Sequence, residues 1–145
     1  MRNYTRPTNY TISVIVGLLL SDAWIMRSRP HDNARFGFRQ SIIHFPYLWH
    51  VFTILAGYCN TIPHAHIALV EGKRYLGVGF ATRAYPFLTK LWHDWYSTGV
   101  KCLPSNIFYL LDSVALAHWI MCDGNKHGNG LVISCEGFTL SEIIT

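Results

Sequence analysis

With 145 residues, half of them hydrophobic and 14% aromatic, the chain can bury a core of ordinary domain size and is not disordered by composition. Charge is sparse but basic, +4 net with a pI near 9.0, which implies a polyanionic partner only if the excess gathers on one surface. The four cysteines (Cys59, Cys102, Cys122, Cys135) form no CxxC pair, and His64 and His66 lack a second pair at finger spacing. Reduced, mostly buried thiols are expected, with neither a disulfide framework nor a structural zinc.

Arg2 and Arg6 precede the apolar run Ile12–Leu20, which is shorter than the roughly 20 residues that span a bilayer. It ends on Asp22 without a small-x-small cleavage site, so no membrane partner is expected. Thr8, Asn9 and Thr11 offer N-caps for a helix running to about Ser21. From Ala23 the apolar period changes to two. Strands are predicted over Ala23–Arg29 and Ala34–Ser41, joined by a turn of Pro30, His31, Asp32 and Asn33. Phe45–Tyr58 reads as a helix with Pro46 in its first turn. Strands His66–Val70 and Arg74–Arg83 follow, turning at Glu71-Gly72, and then a helix over Phe87–Tyr96.

After a connector around Pro104, Ser113–Cys122 reads as a helix capped by Asp112 or Ser113, and Leu131–Cys135 as a strand. Thr139-Leu140-Ser141-Glu142 has the form of a capping box opening a further helix. Residues 1–111 thus form one complete α-β-β-α-β-β-α unit. Residues 112–145 look like the start of a second.

Seven of the twelve basic residues fall in the two hairpins: Arg27, Arg29, Arg35, Arg39, Lys73, Arg74 and Arg83, opposed there only by Asp32 and Glu71. Alternation places Arg35, Gly37 and Arg39 on one face of their strand and Phe36 and Phe38 on the other, and puts Arg27 and Arg29 together on the first strand. A twisted ribbon with such a face suits a DNA major groove or phosphate backbone.

Two segments repeat one pattern: an apolar helix ending in an acid beside a small residue, Ile15–Ala23 with Asp22 and Leu116–Gly124 with Asp123. A carboxylate at a helix C-terminus opposes the dipole and gains nothing locally. Two such helices packed together would crowd their acids at one end, and a hard divalent cation would relieve the repulsion.

These segments resemble the LAGLIDADG homing endonucleases, the second being close to the yeast intron-encoded branch. The resemblance extends to Gly17-Leu18-Leu19-Leu20-Ser21-Asp22-Ala23, to Lys101-Cys102-Leu103-Pro104-Ser105-Asn106-Ile107, and to Gly137-Phe138-Thr139-Leu140-Ser141-Glu142. It implies an α+β fold, the αββαββα saddle with a truncated second repeat, since only 21 residues follow Gly124. It further implies Asp22 and Asp123 as Mg2+ ligands, helped by the backbone carbonyls of Ser21 and Cys122, and Lys101 as the residue that positions or polarises the attacking water. Gly17, Leu20, Ala117 and His118 would lie at the helix interface, with His118 in the slot equivalent to Gly17. The hairpin cations would hold DNA.

Two functions follow from the resemblance. One is a Mg2+-dependent homing endonuclease, or one chain of a split one, completed by a partner chain. The other is an RNA-binding remnant, an intron maturase or a component of an organellar ribonucleoprotein. Either is expected in the mitochondrion.

Overall fold

The computed structural model describes residues 6–135 and 137–144, so Arg2 lies outside the described residues. Contacts divide the chain into two compact units, one built from Met1–Asp22 with Thr89–Thr145 and the other from Ala23–Leu88. This division is spatial and differs from the sequence repeat, because the first helix pairs with one far along the chain.

The unit Ala23–Leu88 is a four-stranded antiparallel sheet with one helix. Its strands are β1 (Trp24–Met26), β2 (Arg35–Ser41), β3 (His64–Val70) and β4 (Lys73–Ala81), in the order β1-β2-β4-β3. Helix α2 (Phe45–Leu55) follows a single 3-10 turn and carries Pro46 in its first turn, where a missing N–H costs nothing. It packs on β2 and β4. Phe36, Phe38, Val78 and Phe80 from the sheet are buried, as are Leu48, Val51, Phe52 and Leu55 from α2. Phe38 and Phe52 meet Phe80 edge-to-face, with centroids 6.2 and 5.4 Å apart. The β3–β4 turn holds Glu71 and Gly72 at φ of 50° and 77°, the geometry a two-residue hairpin requires.

The other unit contains α1 (Asn9–Leu19), the later part of α3 (Pro86–Trp95), α4 (Ile107–Leu110), α5 (Ser113–Asp123), β5 (Gly124–His127), β6 (Gly130–Ile133) and α6 (Leu140–Ile144). Thr8 caps α1 by accepting from the Thr11 N–H at 3.1 Å. Asp112 caps α5 by accepting from the Ala115 N–H at 2.8 Å. The α1 residues Val14 to Leu19 are all buried, as an all-round apolar helix must be. It lies along α5.

Several expectations change. The first strand stops at Met26, not Arg29, because Arg27 folds back to satisfy its own turn: Nε donates to the Asp32 carbonyl at 2.7 Å and a terminal N–H to that of Pro30. The strand expected at Leu131–Cys135 runs over Gly130–Ile133 and is paired. Its partner β5 went unread because Asn125-Lys126-His127 lacks apolar alternation. The one-turn helix α4 is too short for a periodic signal.

Candidate functional site

The two acids reach their helix ends differently. Helix α1 finishes at Leu19, and a turn follows in which the Ser21 N–H and Oγ both donate to the Leu18 carbonyl at 3.1 Å, which leaves Asp22 exposed just beyond. Helix α5 runs to Asp123 itself. It stops at Gly124, where a Cβ would approach the Ile120 carbonyl oxygen to 2.5 Å.

Asp22, Asp123 and Lys101 line one cavity of about 260 Å³, together with Ser21, Ser134, Cys135 and Phe138. Lys101 Nζ donates to the Ser21 carbonyl at 3.2 Å. Burial pushes the Lys101 ammonium down to about 8, against the attraction of Asp22 and Asp123, which raise it. A lysine held so low while facing two carboxylates is strongly desolvated. Leu20, Cys135 and Phe138 also line an adjoining cavity of about 400 Å³, apolar apart from Ser105 and Glu142. Trp119 closes part of it, and its indole N–H is buried with no hydrogen-bond partner among the described residues.

The Lys101 segment is held from two sides. The Cys102 N–H donates to the Trp95 carbonyl at 2.8 Å, and the Leu103 N–H donates to Glu142 Oε1 at 2.8 Å. Glu142 also accepts from the Thr139 N–H and Oγ1 at 2.7 Å, so the capping box is doubled by a tertiary tie. These bonds hold its carboxyl below the usual range, the Thr139 hydroxyl contributing most.

At the α1–α5 contact, a Cβ on Gly17 would collide with the Ala115 carbonyl oxygen and come within 2.9 Å of His118 Cβ. His118 is 3% exposed, and Leu20 is buried at the end of α1. Ala117, expected at this interface, is exposed. Ala115 and His118, three apart, form the buried stripe, and Ala117 falls on the opposite side of the turn. At the top of the contact Ser13 Oγ donates to Asp112 Oδ2, so the α5 cap is fastened to α1.

The Ser21 and Cys122 carbonyls are the two further oxygens expected to help a metal. The Ser21 carbonyl is engaged by Lys101. Cys122 is half-buried beside Asp123. Among the described residues no group of three or more His, Cys, Asp or Glu stands together. Asp22 and Asp123 bring carboxylate oxygens to one cavity. Such a pair could hold Mg2+, which takes one or two carboxylates and leaves positions for substrate phosphate.

In the sheet unit the register sorts the basic residues. Trp24 lies opposite Gly37, Met26 opposite Arg35, Arg39 opposite Gly79, and Ser41 opposite Gly77, with His64 and His66 across from Gly79 and Gly77. Residues directly opposite share a face, so Trp24, Arg35, Arg39, Lys73, Tyr75, His64 and His66 occupy one face. Arg74 alternates onto the other, with Leu76, Val78 and Phe80. Arg29 is exposed beyond β1. Arg83 lies past the end of β4 and serves as a staple, donating to Tyr85 Oη at 2.9 Å, Asn60 Oδ1 at 3.1 Å and the Gly57 carbonyl at 2.9 Å. Trp24 and Tyr75 on the basic face were not singled out from sequence, and His64 and His66 were weighed there only as a zinc pair. Glycines two apart at 77 and 79 were the available signal, since strand glycines mark close approach.

The chain matches the LAGLIDADG DNA endonuclease family over residues 12–145. It is 34% identical to the cytochrome b mRNA maturase bI2 of Debaryomyces hansenii over 97% of its own length and 56% of the maturase. It is also 34% identical to the intron-encoded endonuclease ai4 of Dictyostelium discoideum over 61% of its length and 59% of that protein. Among solved structures, the homing endonuclease I-WcaI bound to its DNA recognition sequence superposes with a TM-score of 0.86 at 18% identity, covering 97% of this chain and 66% of that one. The chain therefore spans little more than half the length of these curated relatives, and the fold is that of I-WcaI.

Proposed function

The chain belongs to the LAGLIDADG DNA endonuclease family, and from that premise we propose that it acts on double-stranded DNA as a Mg2+-dependent endonuclease, alone or with the remainder of such an enzyme supplied by further polypeptide. The observation that carries this reading is the convergence of Asp22, Lys101 and Asp123 on one cavity at the ends of two paired helices. We read residues 1–111 as the first half of the saddle and 112–145 as the opening of the second. Asp22 and Asp123 would hold the ion, with the Ser21 and Cys122 carbonyls as further oxygens.

Bound there, a divalent cation supplies charge for a phosphodiester's developing negative oxygens and lowers the pKa of coordinated water. Lys101, fixed through the Leu103 and Cys102 backbone bonds, presents its ammonium to the same cavity and orients the attacking water. Arg35, Arg39 and Lys73, free of the strand-end ties that occupy Arg27 and Arg83, are the cations best placed to meet phosphate and base edges.

The test is cleavage of duplex DNA in Mg2+ by the purified chain. Activity lost in Asp22→Asn and Asp123→Asn, with folding unchanged, supports the proposal. A second reading is favoured by the 34% identity to a maturase: RNA binding by the same protein without cleavage. Co-purifying RNA and no Mg2+-dependent cutting would select it. A maturase of cytochrome b mRNA also points to a respiratory organelle, and we place the chain in the mitochondrion.

A further inference from the structure

We propose that Arg39 determines sequence specificity on this sheet by reading a guanine edge, and that Trp24 is the positioning residue that holds it ready. This deepens the duplex-DNA reading above and rests on it.

Of the seven hairpin cations, Arg39 alone is both on the basic face and stacked. Its guanidinium carbon lies 5.2 Å from the centroid of the Trp24 ring. Its stem lies over Gly79, where a Cβ would come within 2.5 Å of Arg39 Cγ. Trp24 in turn lies over Gly37, where any Cβ would collide with the indole. Two glycines thus make a floor, one under the ring and one under the arginine stem. Strand β2 lies between β1 and β4, so Arg39 stands on an inner strand, and Trp24 reaches it from the edge strand β1.

The other cations lack this arrangement. Arg27 and Arg83 spend their N–H groups on neighbouring carbonyls and side chains. Arg74 alternates onto the other face, Arg29 lies off the strand, and Lys73 sits at the hairpin turn. Arg35 shares the face but stands opposite Met26, which offers no ring.

Stacking uses the face of the guanidinium and leaves its in-plane N–H edge open. A planar fork held in one place matches guanine O6 and N7 bidentately, whereas a mobile cation neutralises phosphate without regard to sequence. Fixing the side chain before binding lowers the ordering cost of that contact.

The experiment uses the full chain in EDTA and a duplex DNA library with a randomised central stretch. Affinities are then measured for the selected duplex and each of its single-base-pair variants. The wild type is expected to show a guanine whose replacement weakens binding roughly ten- to hundred-fold. Arg39→Ala should flatten that position to within about threefold and leave the rest of the profile intact. Trp24→Ala should flatten the same position, and Trp24→Phe, which keeps a ring under the guanidinium, should restore most of it. A merely structural Trp24 would instead lower every affinity together with the melting temperature.

Uniform weakening by Arg39→Ala, with the salt slope reduced by about one, would mark a phosphate contact and overturn the inference while leaving duplex binding standing. A wild type that binds duplex without selecting any sequence would do the same. No duplex binding, or enrichment from a single-stranded RNA library alone, would overturn the inference and the function proposed above together.

Discussion

Gly17→Ala puts one methyl group where α1 meets α5. On a free helix surface that change stabilises by about 1 kcal/mol, because alanine is the better helix former. Here the added carbon would stand 2.9 Å from His118 Cβ and collide with the Ala115 carbonyl oxygen. Ordinary carbon–carbon contact lies at roughly 3.5–4.0 Å, so the helices must separate or shift by about half an ångström or more. The colliding group is backbone and cannot rotate away. Overpacking costs about 1–3 kcal/mol, and at the upper end of that range, less the propensity gain, the expected net loss is about 2 kcal/mol.

For a chain of this length that loss lowers the melting temperature by about 4–8 °C. Urea denaturation followed by circular dichroism measures the loss directly. Ala117→Gly on the exposed side of α5 is the control, and should cost about 1 kcal/mol from propensity alone. A shift between the helices also displaces Asp22 relative to Asp123, so Mg2+ binding by calorimetry should weaken in Gly17→Ala and not in the control. A Gly17→Ala protein as stable as the wild type, or more so, would refute close helix contact at this point.

Lys101 sets a pH dependence. Its native ammonium sits at about 8 against an ordinary value of 10.5, so between these values the unfolded chain holds a proton that the native state has released. Metal-free stability should therefore rise from pH 8 to 10.5 by about 3 kcal/mol, and Lys101→Met should abolish that rise in the difference curve. Asp112→Ala should cost about 1 kcal/mol as a lost helix cap. Because its carboxyl is held below its ordinary value, chiefly by the Ala115 N–H and then by Ser13, this contribution should be present at neutral pH and fade as pH falls through the acid range. Arg83→Ala should cost about 1–3 kcal/mol in urea titrations by breaking the staple, with the salt slope of DNA binding unchanged. Arg35→Ala should do the reverse, lowering that slope by about 0.9 with stability intact.

Much of this molecule is local information. Strict alternation in Arg35-Phe36-Gly37-Phe38-Arg39 and the Glu71-Gly72 turn specify two hairpins, because strand side chains alternate and only some residues tolerate positive φ. Thr8 and Asp112 announce helix starts, and the two acid-ended apolar runs announce a repeated element. Element ends were less legible. Arg27 and Arg83 leave their strands and donate to nearby backbone and side-chain oxygens, which no period records.

What only the tertiary structure decided is which distant residues meet. Register assigned Arg74 to the face opposite Arg39, laid Trp24 on Gly37, and turned Gly37 of β2 and Gly79 of β4 into a floor. Helix pairing put Ala115, not Ala117, against Gly17, and brought Glu142 to the Leu103 amide, fastening Lys101. By itself the sequence determined that two carboxylates would end two apolar helices, since those helices need burial. That Asp22 and Asp123 line one cavity around a desolvated Lys101 was decided by packing, because the separation of α1 and α5 is set by the absence of one methyl group at Gly17.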